Sequence, residues 1–133
     1  MCGCTRRAFV FGTAAAAAFT PSARAATTEQ FIDAAFIMRE QALTAGDAPY
    51  GAVVVRAGVI VGRGAARIRD RGWFGHAERV AMREAQERLG REDLSDCVTY
   101  STSRPCESCR RAASQAKLQR MYFGIDGADA GKP

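Results

Sequence analysis

Two short segments about thirty residues apart constrain this sequence more than any other feature. The first is His76-Ala77-Glu78, which contains the only histidine of the chain. The second is Pro105-Cys106-Glu107-Ser108-Cys109, whose two cysteines are three residues apart and so share one face of a helical turn. Each segment opens a predicted helix. A fold that uses the two segments together must therefore bring two helix N-termini to one place.

The side chains of the two segments form a typical zinc-ligand set. Backbone N–H groups at a helix N-terminus favour the thiolate forms of Cys106 and Cys109, which are the forms that bind metal. Neutral His76 supplies a third ligand, and three protein ligands leave the fourth tetrahedral position open, as in catalytic rather than structural zinc sites. We therefore predict a Zn²⁺ site at these three residues, with Glu78 as a proton-carrying group beside it.

The cysteine pair alone has a second interpretation. A C-x-x-C sequence at a helix start in an exported protein is also typical of a disulfide or of a dithiol oxidoreductase. That alternative gives no role to His76-Ala77-Glu78, and no tryptophan flanks Cys106 and Cys109.

The first 25 residues are predicted to be a twin-arginine signal peptide. Arg6-Arg7 precedes an alanine-rich apolar run from Ala8 to Phe19, and Ala23-Arg24-Ala25 has the small-x-small pattern of a cleavage site. We therefore expect residues 26–133 to form the mature domain and to be located in the periplasm. The alternative is a buried alanine-rich helix in a cytoplasmic protein.

The charge of the predicted mature domain argues against a nucleic-acid partner. Removing residues 1–25 takes away three arginines and no acidic residue, which lowers the net charge from +5 to +2. Electrostatic steering of a polyanion needs a larger or more clustered excess. No apolar stretch is long enough to cross a bilayer, so we expect no stable membrane anchor.

The remaining pattern predicts an α/β domain. Thr27-Thr28-Glu29-Gln30 is a capping box, and Gly46 and Gly90 end the first and second helices. The predicted elements are a helix to Leu43, a hairpin of strands 52–55 and 59–61, an irregular stretch 62–75, a helix from Ala77, a strand 97–100, a helix 106–117, a strand 121–125 and a frayed tail 126–133. This order predicts a mixed sheet with helices on its faces.

Several segments resemble the zinc deaminases of the cytidine deaminase-like superfamily. They are Pro49–Val55, His76-Ala77-Glu78, Thr99–Thr102 leading into Pro105-Cys106-x-x-Cys109, and Tyr122-Phe123-Gly124 with the residues that follow. The likeness is strongest to the branch that holds guanine, cytosine and tRNA adenosine deaminases. It implies a three-layer α/β/α sandwich with a mixed sheet, and a homodimer or larger oligomer.

The resemblance also implies an activity. It is the zinc-dependent hydrolytic deamination of a free nucleobase or nucleoside, in which a zinc-bound water attacks the amine-bearing ring carbon and Glu78 shuttles protons. A periplasmic location favours such a small molecule over tRNA. A deaminase fold without turnover, kept as a binding or zinc-scaffold module, is the remaining alternative.

The chain departs from that branch at three points. The branch usually has an asparagine where Ala66 aligns and a glutamate where Arg104 stands, and its last strand and helix have no counterpart before Pro133. Arg104 is a candidate ligand for an anionic group such as phosphate, its alternative being a solvated surface arginine. The other candidate substrate-binding residues are Tyr50, Trp73, Phe74 and Ala77, and core filling is the alternative for Trp73 and Phe74.

Overall fold

The computed structural model describes residues 26–133, so the predicted signal peptide lies outside the described residues. Its helices are α1 (Thr28–Thr44), α2 (Ile68–Arg71), α3 (Ala77–Leu89) and α4 (Glu107–Gln115), with a 3-10 turn at Gly72–Gly75. Its strands are β1 (Gly51–Arg56), β2 (Val59–Ala65), β3 (Cys97–Ser101), β4 (Arg120–Phe123) and β5 (Ala128–Gly131).

The five strands form one mixed sheet in the order β2-β1-β3-β4-β5. Strands β3 and β4 are parallel, and the other neighbouring pairs are antiparallel. Alternate residues of a strand face opposite sides of the sheet. Ala52 and Val54 of β1 accordingly pack in the cluster that contains α3 residues, whereas Val53 and Val55 pack against α1. The predicted α/β/α sandwich is confirmed.

Local signals in the sequence set several helix ends. The Thr27 hydroxyl accepts a hydrogen bond from the backbone N–H of Gln30, and the Gln30 side chain accepts one from the backbone N–H of Thr27. Helix α3 ends at Gly90, whose φ of 65° lies in the left-handed region that favours glycine. The capping box and both glycine stops were therefore predicted correctly.

Two regions differ from the sequence prediction. The stretch 62–75 was expected to be irregular, but β2 continues to Ala65 and α2 follows, because the Asp47 carboxylate accepts hydrogen bonds from the backbone N–H groups of Ile68 and Arg69, each at 3.1 Å. The tail was expected to be frayed, but it contains β5. The Arg110 guanidinium holds this strand by donating to the carbonyl of Ala130 at 2.8 Å.

The described chain therefore has a fifth strand, although it is the second arm of a tight antiparallel hairpin with β4. Within residues 26–133, no helix follows β5. None of the helices in this part of the chain is both long and apolar enough to cross a membrane.

Candidate metal centre

The N-termini of α3 and α4 bring the three predicted metal ligands together. His76 is the N-cap residue of α3 and Cys106 is the N-cap residue of α4, while Cys109 is buried in the first turn of α4. The Nδ1 atom of His76 lies 3.4 Å from the Sγ atom of Cys106 and 3.3 Å from that of Cys109. One ligand atom from each residue falls within 4.8 Å of the other two.

The electrostatics of this cluster suit a cation. Burial and the nearby Arg79 charge lower the pKa of His76, which favours the neutral imidazole that binds metal. Burial disfavours the Cys106 thiolate, but hydrogen bonds from the Ser108 hydroxyl and from backbone N–H groups outweigh it and lower the pKa of the thiol. Burial and the neighbouring Glu78 raise the pKa of Cys109. A divalent cation would compensate these crowded negative groups, and the N, S, S donor set fits Zn²⁺.

Glu78 lies beside the cluster without being one of its three ligands. Its side chain is on the first turn of α3 and is only 6% exposed. The Cys109 thiol donates a hydrogen bond to Oε2 of Glu78 at 3.7 Å. Burial raises the pKa of this carboxyl group, because the charged form loses its hydration. The group is therefore suited to hold a proton next to the metal ligands.

A contact between the two helices was not predicted from the sequence. The Arg79 guanidinium donates to the carbonyl of Ser108 at 3.3 Å, and the Ser108 hydroxyl lies 3.2 Å from the Sγ atom of Cys106. Arg79 therefore connects the first turn of α3 to the first turn of α4. The signal was visible, since Arg79 directly follows Glu78 and Ser108 stands between the two cysteines.

A pocket of about 370 Å³ opens onto the cluster. Predicted residues Tyr50, Ala77 and Arg104 contribute to its wall together with the ligands His76 and Cys106 and with Glu78. Two further lining residues, Ile68 and Ser103, were not predicted. Ile68 reaches the pocket because it begins α2, in the stretch that was expected to be irregular.

Trp73 and Phe74 are not among the lining residues of this pocket, and they do not fill the core either. Trp73 is 66% exposed, and its ring centroid lies 5.5 Å from that of the His76 ring. Phe74 is 70% exposed and packs under the guanidinium of Arg79, with 5.4 Å between the Cζ atom and the ring centroid. The 3-10 turn at Gly72–Gly75 leaves both rings largely exposed, so the core-filling interpretation is wrong. Substrate contact by Trp73 and Phe74 stays a prediction.

Ala66 is buried at the base of the β2–α2 connection. It is 3% exposed and belongs to the core cluster that contains α3 residues, and its backbone N–H donates to the carbonyl of Tyr50 at 3.0 Å. Ala66 therefore contributes a backbone hydrogen bond to the pocket residue Tyr50, but it brings no polar side chain to this place.

The family follows from comparison with known sequences. The model of the cytidine and deoxycytidylate deaminase zinc-binding region matches residues 25–125. The chain belongs to this family. Since the domain is a zinc-binding one and the His76 cluster can hold a metal, its cofactor is Zn²⁺.

Relatives within the family have different named substrates. The chain is 33% identical over 102 residues to a tRNA-specific adenosine deaminase of Agrobacterium fabrum, covering 76% of this chain and 67% of the relative. It is 31% identical over 104 residues to a guanine deaminase of Bacillus subtilis, and the match covers 77% of this chain and 67% of the relative. It is also 40% identical over 99 residues to a tRNA(Ile)-lysidine synthase of Deinococcus radiodurans, but there it spans only 17% of that protein.

Solved structures confirm the fold. The X-ray structure of guanine deaminase from Bacillus subtilis superposes with a TM-score of 0.69 at 30% identity, covering 74% of this chain and 64% of that one. A structure from work on A-to-I editing by tRNA:A34 deaminases superposes with a TM-score of 0.68 at 35% identity. The match covers 71% of this chain and 69% of that one. The chain thus shares the deaminase fold over most of its described length.

Proposed function

We propose that this protein hydrolyses the exocyclic amine of a free nucleobase or nucleoside. The observation that carries the proposal is the position of Glu78. Its buried carboxyl group contributes to the same pocket wall as His76 and Cys106, so a bound ring, a proton carrier and the metal ligands share one small volume.

The side chains divide the chemistry between them. His76, Cys106 and Cys109 would hold Zn²⁺, which when bound lowers the pKa of water and makes it a nucleophile near neutral pH. Glu78 would accept a proton and deliver it to the ring nitrogen and then to the departing amine. Tyr50 and Ile68 would contact the flat faces or edges of the ring, because both contribute to the pocket wall.

Three observations support a small substrate. The pocket volume of about 370 Å³ lies in the range of small-molecule sites. The guanine deaminase of Bacillus subtilis is a relative with a free base in its name. The predicted mature domain, residues 26–133, has a net charge of +2, which gives little general attraction for a polynucleotide. Other relatives are tRNA-specific adenosine deaminases, so the test of substrates also includes tRNA.

The decisive variant is Glu78→Gln. Glutamine is nearly isosteric, so the fold and the metal should be retained, but it cannot carry protons. We expect ammonia release to fall by about 10²- to 10⁴-fold while zinc content is unchanged. The matched control is Glu84→Gln on the same helix but outside the pocket wall, where the carboxylate pairs with Arg88 at 3.2 Å. That variant should keep wild-type activity.

The measurement is ammonia release from purines, pyrimidines, their nucleosides and tRNA, together with metal analysis. Activity above about a tenth of wild type in Glu78→Gln would contradict the proton-carrying role. A zinc-loaded wild type that is inactive on every compound would support a module without turnover. A zinc-free protein with a disulfide between Cys106 and Cys109 would support a dithiol oxidoreductase.

We further propose that residues 1–25 direct export of this domain by the twin-arginine route to the periplasm. The support is the sequence pattern around Arg6 and Arg7. Replacing both arginines by lysine should leave the protein in the cytoplasm, as measured by cell fractionation. An unchanged periplasmic yield would show that the segment has another role.

A further inference from the structure

The wall of the pocket at the metal centre comes from two parts of the chain. Six of its lining residues lie in the ranges 76–78 and 103–106, at or just before the starts of α3 and α4, and the other two are Tyr50 and Ile68. The proposed reaction uses the first part for the metal and for proton transfer. Tyr50 and Ile68 are left to contact the ring, so a group that holds these two residues in place also affects how a ring is bound.

Ile68 belongs to an element that has little stability of its own. It begins α2, which has only four residues, and so short a helix gains little from cooperative hydrogen bonding. The N-cap residue Arg67 makes no side-chain hydrogen bond to the helix, and no residue of α2 is fully buried. Ile68 packs only partly against the core cluster that contains α3 residues. Its position therefore depends on contacts from elsewhere in the chain.

Asp47 supplies such contacts from the loop after α1. Its Oδ1 atom accepts hydrogen bonds from the backbone N–H groups of Ala48 at 2.7 Å and of Ile68 at 3.1 Å, and its Oδ2 atom accepts one from Arg69 at 3.1 Å. These bonds, led by that from Ala48, outweigh the opposing effect of burial and lower the pKa of the Asp47 carboxyl group. The first N–H groups of a helix have no partner within it, so Asp47 takes the place of the missing N-cap side chain.

Further hydrogen bonds join the same two segments. The Arg69 guanidinium donates to the carbonyl of Gly46 at 2.9 Å, and the backbone N–H of Ala66 donates to the carbonyl of Tyr50 at 3.0 Å. Each segment thus carries one of the two wall residues, and the two are linked through both side chains and backbone. Asp47 itself belongs neither to the pocket wall nor to the metal cluster.

We propose that Asp47 is a positioning residue of the pocket, whose carboxylate fixes Ile68 in the wall and so sets the affinity for the ring. This inference rests on the proposed deaminase function and adds a residue that determines how the substrate is held. Without these contacts, part of the binding free energy would be spent on ordering α2. The ring should then bind more weakly, while the metal is held as before.

The first test measures Asp47→Ala and Asp47→Asn in the full chain loaded with Zn²⁺. The alanine variant loses all three accepted hydrogen bonds, whereas asparagine keeps one acceptor oxygen. We expect KM for ammonia release to rise about 10-fold in Asp47→Ala and about 2- to 5-fold in Asp47→Asn, with a smaller change in kcat. Loss of folded protein alone would lower kcat and leave KM unchanged. Zinc affinity, measured with a competing chelator, should stay within about twofold of wild type.

Two measurements on the same variants need no turnover. Calorimetry measures binding of inosine, xanthosine, uridine and their free bases, which have a carbonyl group where the substrate has its amine and so cannot release ammonia. We expect their dissociation constants to rise by the same factors as KM. Amide hydrogen exchange at Ile68 and Arg69 should be at least about 10-fold faster in Asp47→Ala, because their N–H groups lose the acceptor.

A double-mutant cycle tests whether Asp47 acts through Ile68. Ile68→Ala should itself weaken binding of these compounds, since it removes the side chain from the wall. Asp47→Ala added to Ile68→Ala should then weaken binding by less than about twofold more, because the side chain that it positions is already absent. Full multiplication of the two effects would contradict a role through Ile68.

The matched control is Asp93→Asn, which makes the same chemical change in a loop outside the pocket wall. The Asp93 carboxylate accepts a hydrogen bond from the backbone N–H of Ser95 at 2.8 Å. This variant should keep the wild-type KM, the wild-type dissociation constants and slow exchange in α2. Asp47→Asn keeps the comparison decisive if Asp47→Ala does not fold.

The proposal is overturned if the Asp47 variants bind the compounds as tightly as wild type, if exchange in α2 is unchanged, or if zinc is weakened by the same factor as the ring. It is also overturned if wild type binds none of the compounds. Binding and turnover separate it from the proposed function. Absence of ammonia release counts against the reaction alone when weaker binding in Asp47→Ala is still seen, whereas deamination by Asp47→Ala with the wild-type KM keeps the reaction and removes this role of Asp47.

Discussion

The two helical layers meet the sheet in different ways. On the side of α3, two glycines of β2 face the helix backbone. A Cβ atom added to Gly64 would lie 2.1 Å from the carbonyl oxygen of Ala77, and one added to Gly62 would lie 2.1 Å from that of Ala81. The distance between α3 and the sheet is therefore set by backbone atoms in direct contact.

The α1 layer relies more on large side chains. Phe31, Ile32 and Met38 pack with Val53 and with the tyrosine ring of β3, and 5.4 Å separates the ring centroids of Phe31 and that tyrosine, Tyr100. This layer has one close backbone approach of its own, where a Cβ atom on Gly51 would lie 2.2 Å from the carbonyl oxygen of Ala35. Elsewhere in this layer, side chains can change rotamer to absorb a change in shape.

This difference bears on the metal centre, because His76 and Glu78 belong to the α3 layer. No residue of α1 contributes to the wall of the pocket. A shift of α3 away from β2 would move a metal ligand and the proton carrier together. We therefore expect changes in the α3 layer to affect both stability and the site, and changes in the α1 layer to affect stability alone.

The largest expected effect is that of Gly64→Ala. The new Cβ atom cannot be accommodated by a rotamer change, since the atom it meets is the backbone oxygen of Ala77. We expect the free energy of unfolding to fall by about 3 kcal/mol or more, at or above the upper end for overpacked cores. Zinc should also be bound more weakly. Chemical denaturation and competition with a metal chelator measure the two effects.

The matched control for that prediction is Gly58→Ala in the β1–β2 turn. Gly58 has a φ of 76° but nothing lies within 4 Å of its added Cβ atom, so only the backbone preference is lost. The expected cost is about 1 kcal/mol, with zinc affinity unchanged. Equal effects of the two variants on zinc binding would contradict a special role for the contact between β2 and α3.

The sequence could predict the parts of the molecule that depend on local signals. The capping box at Thr27, the glycine after α3 and the continuous apolar run of β1 are read from neighbouring residues, and the structure confirms them. The approach of His76 to the cysteine pair was predicted because the three residue types suit zinc and because the two motifs together resemble those of the zinc deaminases. Local chemistry together with that resemblance was sufficient to predict this part of the site.

The parts that were missed depend on contacts between distant residues. Helix α2 requires the carboxylate of Asp47, which is 21 residues before Ile68, and β5 requires Arg110, which is 20 residues before Ala130. The outward placement of Phe74 follows from the 3-10 turn. Nothing in the neighbouring sequence identifies these partners, so turn-like or frayed segments were predicted there instead.

The smallest expected effect is that of Ile32→Val in the α1 layer. Ile32 is 8% exposed, and loss of one methylene there should lower the free energy of unfolding by about 0.5 to 1.5 kcal/mol. Zinc binding to the folded state alone adds a stabilisation that depends only on zinc concentration and on the dissociation constant. If the α1 layer leaves the site unchanged, adding zinc should therefore stabilise Ile32→Val by the same free energy as the wild type. Gly64→Ala should gain less from the same addition. Denaturation curves with and without zinc measure both increments, and a reduced increment in Ile32→Val would show that the α1 layer also sets the geometry of the metal ligands.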